Sequence, residues 1–306
     1  MAARTEGLSA RDAVALRLRG GSPDWAGWLL EAGLLLSLLV AVGILFVLVG
    51  DTLVKAFPVL AERPLDFLTS TVSARAPRAG ILQAIIGSLT ITLIVAALAI
   101  PIGIGAAVYL EEYARDSRSS RLIRTNIRNL AGVPAIVYGL LGLAVFSTAL
   151  GLGSVLLAGG LTLAVLVLPI VVITTSEALT AVPESIREAA YGVGATRWET
   201  IRSHVLPYAA PGIFTGTILS LGRAFGETAP LLMVGAIAGT FSFVGAPWEQ
   251  MFEGYTTLPT LVYHWAGYPQ AEFRALGAAA IIVLLGVILV VNATAIILRN
   301  RYDRKW

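Results

Sequence analysis

Arg223 and Glu227 are the pair best suited, by type and spacing, to act on a small charged molecule. They stand four positions apart in an apolar stretch, so a helix there projects both from one face. A guanidinium offers five N–H donors in a planar fork that matches the oxygens of an oxyanion. A carboxylate beside it would orient that fork and moderate its attraction, as a site that must also release requires. Each charge near a bilayer centre costs on the order of 2.5–3.5 kcal/mol, against the ~0.2–0.5 kcal/mol that a pair at this spacing returns. The two must therefore face a protein interior or a wet pathway. An ion pair that only locks the helix to a neighbour meets the same requirement, so the residues alone leave both roles open.

Other chemistries are poorly provided for. Cysteine is absent and histidine occurs twice, as His204 and His264. Disulfides, thiol nucleophiles, cysteine-type zinc sites and iron–sulfur clusters are excluded, and no metal site or cofactor is expected. No nucleophile–base constellation stands out, and no glycine-rich loop ending in Gly-Lys-Ser/Thr is present. The chain is therefore expected to be neither an enzyme nor an ATP-hydrolysing subunit. The formal charge is +3, and the basic residues lie in short clusters beside apolar runs rather than on one soluble face. That pattern argues against a nucleic-acid partner. A proton- or sodium-coupled carrier would need titratable relays or broken helices at midplane, for which the sequence offers the Arg223–Glu227 pair alone.

Membrane helices are what must position these residues. Of 306 residues, 57% are hydrophobic and 13% charged, against roughly 45–50% and about 25% in soluble domains. A spanning helix needs about 20 apolar residues, and six stretches qualify: 28–50, 82–110, 130–150, 155–175, 213–237 and 276–298. Their continuous apolarity selects helices over a barrel, so the expected class is an all-α polytopic membrane protein with six transmembrane helices. Residues 1–27 form an N-terminal arm, 28–298 the membrane domain and 299–306 a tail. The first run is too long for a secretory signal and reads as a retained anchor.

Arginine placement orients the helices. Arg4, Arg11, Arg17 and Arg19 precede the first span, and Arg115, Arg118, Arg121, Arg124 and Arg128 fill the second loop. Arg187, Arg197 and Arg202 follow the fourth span, and Arg299, Arg301, Arg304 and Lys305 follow the last. By the positive-inside rule both termini and these loops are cytoplasmic. On the other side, 51–80 with Pro58, Pro64 and Pro77 reads as an irregular loop. The segment 239–275 is rich in aromatics, among them Phe241, Phe243, Trp248, Phe252, Tyr255, Tyr263, Trp265 and Tyr268. They suit an interfacial belt or, alternatively, a surface that receives an external partner. Gly132, Gly139, Gly142, Gly159 and Gly160 fit close helix packing in lipid.

The cytoplasmic loop 176–212 is the most organised polar segment. Pro183 and Glu184 suit a helix start, and Gly192 and Gly194 follow Glu188-Ala189-Ala190-Tyr191 as a stop. A second short helix restarts near Thr196 and should end before Pro207. Two short helices about a glycine bend make a compact knob.

Glu188, Ala189, Ala190, Gly194, Leu206 and Pro207 together resemble the cytoplasmic signature of ABC importer permeases. His204 stands where that family usually has an aliphatic residue. Two further runs, Asn129-Leu130-Ala131-Gly132-Val133-Pro134-Ala135-Ile136-Val137-Tyr138-Gly139-Leu140 and Gly222-Arg223-Ala224-Phe225-Gly226-Glu227-Thr228-Ala229-Pro230-Leu231-Leu232, are similar to permeases of the high-affinity phosphate importer, the second run to the PstA type. Two positions depart from that pattern: Ile173 precedes Thr174-Thr175 where a basic residue is frequent, and Ala135 follows Pro134 where a serine is.

The resemblance implies a type I ABC importer permease fold in a bacterial inner membrane, and a coupling loop that docks an ATPase through the six signature residues. It also implies a homologous second permease of the PstC type, an ATPase dimer of the PstB type and an external phosphate-binding protein of the PstS type. Arg223 and Glu227 would then lie on the substrate pathway. A permease for molybdate, sulfate or phosphonate is the alternative within the same family.

Overall fold

In a computed structural model, the structure describes residues 25–237, 239 and 248–302. Arg4, Arg11, Arg17, Arg19, Phe241, Phe243, Arg304 and Lys305 lie outside the described residues. The apolar runs fold as helices because, without water, only intrahelical bonds satisfy their backbone N–H and C=O groups. No strand occurs among the described residues. The chain divides into two compact units, Met1–Asp51 and Thr52–Trp306.

Helix α1, Trp25–Glu62, begins in the first unit and ends in the second. In the first unit it is apolar on every side and exposed all round. It is longer than the expected 28–50, and the expected irregular loop after it is largely helical. Pro58 lies inside α1, Pro64 opens α2 (Pro64–Thr69) and Pro77 lies in a 3-10 turn, Ala76–Arg78. Pro64 belongs where it is because the first helical turn needs no donor from that residue.

The second unit is built on α3, Leu82–Val108, extended by a π turn at Tyr109–Tyr113, and on α6, Leu156–Thr180. Between them run α4 (Arg118–Ala131) and α5 (Ala135–Gly142), the latter extended by a π turn at Leu143–Ala149. The expected third span is thus broken: α4 and the Ala135–Ala149 segment meet at 100° across Gly132-Val133-Pro134. Pro134 lacks an N–H and pushes Val133 out of helical geometry, which accounts for the break. Among the described residues, five helices are long and apolar enough to cross a membrane, and the bent pair would make a sixth crossing.

After α6 come α7 (Glu184–Gly192) and α8 (Arg197–Thr200), then a π turn at Ile201–Val205 that runs directly into α9, Leu206–Gly226. The expected end before Pro207 does not occur. Pro207 sits in the first turn of the α-helical segment after the π turn, where the altered hydrogen-bond register leaves its missing donor without a cost. Short α10 (Ala229–Met233), α11 (Leu258–Ala266) and long α12 (Ala271–Tyr302) complete the chain.

Three apolar clusters hold the second unit together. One gathers Phe67, Ile81, Leu258, Leu261 and Trp265 with Phe273 and Leu276 of α12. A second joins α3 and α6 through Ile91, Val95, Leu163 and Val167, and takes in Tyr138, Leu231 and Tyr255. A third packs Ala107, Leu110, Val172, Leu179 and Val182 against Val205, Ala209 and Ile213. Tyr255 and Trp265 are core residues, while Trp248, Phe252 and Tyr263 are exposed. The aromatic segment is therefore divided between core and surface, a division that its composition does not show.

The glycine expectation is met at α5. A Cβ on Gly139 would lie 2.7 Å from the Pro230 Cα, and one on Gly142 would lie 2.0 Å from the Thr162 hydroxyl. Only glycine lets α5 approach α10 and α6 this closely.

Candidate functional site

The loop after α6 is a rigid knob. Glu184 opens α7 beside Pro183, and the helix ends through Gly194, whose φ of +86° is open to glycine at little cost. The Gly194 and Ala195 amides donate to the Tyr191 and Ala190 carbonyls at 2.9 and 3.0 Å. Thr196 then caps α8 in a reciprocal box: its hydroxyl accepts from the Glu199 amide, and the Glu199 carboxylate accepts from the Thr196 amide at 2.8 Å.

Of the expected coupling residues, Glu188, Ala189, Gly194 and Pro207 are exposed, Leu206 is partly buried and Ala190 faces inward. Tyr191, Val193 and Trp198 add exposed apolar surface to the knob. His204 is exposed while its neighbour Val205 is fully buried. The core contact at this turn therefore falls to Val205.

What braces the knob is a feature that sequence reasoning missed. Arg187, 12% exposed, donates to Glu112 through Nη2 at 2.8 Å and Nε at 3.4 Å. It also donates to the Val182 and Leu179 carbonyls at 2.9 and 3.1 Å, and to Glu184 at 3.3 Å. The hydrogen bond with Glu112 raises the arginine's pKa above its already high value, so Arg187 stays charged. Beside it, Arg124 of α4 bonds Glu111 and the Leu110 carbonyl, and the Arg197 guanidinium lies 5.0 Å from the centre of the Tyr113 ring. Arginines from α4, α7 and α8 thus converge on Glu111-Glu112-Tyr113 at the end of α3. Cavities of about 620 and 670 Å³ flank this junction. Two adjacent glutamates inside an arginine-rich region were the available signal.

At the other end of α9, Arg223 and Glu227 do come together, with Nε 3.3 Å from Oε1. The expectation that one helix carries both needs correction. The helix stops at Gly226, and Glu227 is the extended residue after it, with φ −73° and ψ 129°. The break at Glu227-Thr228 lets α10 turn onto α5, where Pro230 meets Gly139. The Arg223 side chain is 57% exposed and that of Glu227 is 17% exposed. The carboxylate is set into the chain and the guanidinium is presented outward from it.

Other polar side chains in the spans are tied to structure. Thr90 and Thr92 donate to the carbonyls four residues earlier, Ser88 accepts from the Leu258 amide at 2.9 Å, and Gln83 accepts from the Val72 amide at 3.3 Å. Asn292 packs beside Gly222, and its Oδ1 is buried without a protein partner. No group of three or more histidines or acids that could hold a metal occurs among the described residues.

The sequence from 99 to 305 matches the family of binding-protein-dependent transport system inner membrane components. The chain belongs to that family. It is an ABC importer permease subunit, a membrane component of a transporter.

Among its relatives are the probable ABC transporter permease protein YqgI of Bacillus subtilis, 34% identical over 77% of this chain and 83% of that one, and the phosphate transport system permease protein PstA 1 of Mycobacterium tuberculosis, 36% identical over 72% and 70%. PstA of Xylella fastidiosa is 33% identical over 78% and 81%. The permease also superposes on a chain of the bacterial ABC transporter involved in import of the acidic polysaccharide alginate, with a TM-score of 0.66 at 17% identity over 90% of this chain and 96% of that one. A chain of the inward-facing methionine transporter MetNI gives 0.61 at 18% identity over 73% and 96%. The fold is that of a type I ABC importer permease.

Proposed function

We propose that this permease is a PstA-type subunit that forms half of a pathway for inorganic phosphate. The observation that carries the reading is the Arg223 guanidinium, presented outward on the Glu227 carboxylate, in a chain about a third identical to permeases named for phosphate transport. Arg223 attracts the anion as it passes, and Glu227 holds the fork and keeps binding weak enough to release.

The segment 176–212 docks the ATPase through Glu188, Ala189, Ala190, Gly194, Leu206 and Pro207. The exposed Glu188, Val193 and Trp198, held on a braced knob, support that role. Both termini are cytoplasmic, and the complex includes a PstC-type permease, a PstB-type ATPase dimer and a PstS-type external binding protein. Residues 1–27 and 299–306 flank the membrane domain of 28–298.

The test is uptake of labelled phosphate by cells producing the permease with these partners. Arg223→Gln should copurify with its partners yet fail in uptake, and so should Arg223→Gln with Glu227→Gln. Full uptake by the doubly neutral protein overturns the pathway assignment. Uptake of molybdate, sulfate or phosphonate in place of phosphate overturns the substrate.

A further inference from the structure

Helix α4 has a composition unlike the spans around it. It is 14 residues long and carries Arg118, Arg121, Arg124 and Arg128. At 1.5 Å per residue it covers roughly 21 Å, too short and too charged to cross a ~30 Å hydrocarbon layer. It meets the apolar segment Ala135–Ala149 at 100°. If that segment runs along the bilayer normal, α4 lies close to the membrane plane.

Its surfaces are sorted to match. Ser120 and Ile127 face the protein, and Arg124 is taken up by Glu111. Leu122, Ile123 and Leu130 are 64%, 46% and 46% exposed. At 100° per residue, Ile123 and Leu130 fall within about 20° of each other, as do Arg121 and Arg128, and the two pairs lie about 160° apart. Asn126, exposed beside that face, returns one amide N–H to the Leu122 carbonyl at 2.8 Å, which lowers but does not remove its need for a polar partner. Among the described residues, no carboxylate pairs with Arg118 or Arg128, and Arg121 has only a loose, exposed contact of 3.7 Å with Asp116. Apolar and cationic faces on one in-plane helix are the pattern of a helix seated at a lipid boundary, strengthened by anionic headgroups.

We propose that α4 is an interfacial anchor, with Ile123 and Leu130 among the acyl chains and Arg118, Arg121 and Arg128 bound to the phosphates of anionic phospholipids. A helix 10–12 Å across, set with its apolar face at the acyl boundary, keeps its opposite face within reach of the headgroups. The anchor fixes the depth of α4, and hence of the bend into the next helix. This assignment is independent of the substrate, so phosphate uptake does not bear on it.

The chain lacks cysteine, which allows a direct test. Ile123→Cys, Leu130→Cys and Arg121→Cys are made singly in the full chain, labelled with bimane and reconstituted in phosphatidylcholine vesicles with or without phosphatidylglycerol. Nitroxide-bearing acyl chains should quench the labels at 123 and 130 several-fold more than the label at 121, which aqueous iodide should reach. In the unaltered chain purified in detergent, phosphatidylglycerol should be retained over phosphatidylcholine, and that preference should fall with added salt. Each of Arg118→Gln, Arg121→Gln and Arg128→Gln should lower it about five-fold. Iodide quenching at all three positions, equal retention of the two lipids by the unaltered chain, or shielding of 123 and 130 only after the ATPase is added would each overturn the proposal. The last would make α4 a protein-docking face.

Discussion

Replacing Arg187 with methionine should release the knob at α7 from the end of α3. The guanidinium is 12% exposed and its partner Glu112 is 6% exposed, so the substitution leaves a carboxylate in a poorly hydrated site. Breaking a buried pair from one side costs about 3–5 kcal/mol. The residual exposure of Arg187 places this one near the lower figure. A cost of about 3 kcal/mol corresponds to an opening of α7 that is roughly 100-fold more populated. Hydrogen exchange of the Ile186–Gly192 amides in the detergent-purified chain reads this directly, with amides in the middle of α6 as the control.

The double variant Arg187→Met with Glu112→Leu should recover most of the protection. Replacing a buried ion pair by apolar residues of similar volume is often neutral or stabilising. Normal protection in the single variant, or a double variant as poorly protected as the single, would refute the bracing role.

Three further outcomes follow from the same geometry. Gly142→Ala drives a Cβ to within 2.0 Å of the Thr162 hydroxyl; it should cost about 1–3 kcal/mol in thermal unfolding of the purified chain, and Thr162→Ala should recover part of that. Gly194 has nothing within 4 Å of its Cβ position but a φ of +86°, so Gly194→Ala should cost about 1–2 kcal/mol of backbone strain and loosen the hairpin to protease, with Gly194→Asn milder. A cysteine beside Glu188 should escape an impermeant thiol reagent in right-side-out vesicles while one beside Trp248 is labelled, and the opposite pattern would reverse the topology.

The number of apolar segments was legible because continuous hydrophobicity over 20 or more residues has few other meanings. Where those segments break was not. Pro134 ends a helix, while Pro101, Pro169 and Pro211 lie inside helices that continue, so proline alone does not mark a break. The Arg223–Glu227 contact was readable because four residues separate the partners, although the chain achieves it across a helix end. The Arg187–Glu112 bond joins residues 75 positions apart. No local periodicity encodes such a pairing, and an arginine there counts equally well as a topogenic charge.

The continuity of Arg197–Gly226 through Pro207 has a mechanical meaning. Because no flexible joint separates the knob from α9, the two ends of this rod cannot move independently. From Arg197 to Arg223 is roughly 39 Å at 1.5 Å per residue, and a tilt of about 5° over that length carries one end roughly 3 Å past the other. That distance is comparable to the Arg223–Glu227 contact itself. A small rocking of the knob is thus a large displacement on the scale of a hydrogen bond. The stroke is set by the stiffness of the rod, which the buried Ile201 and Val205 hold in the core where the knob meets α9.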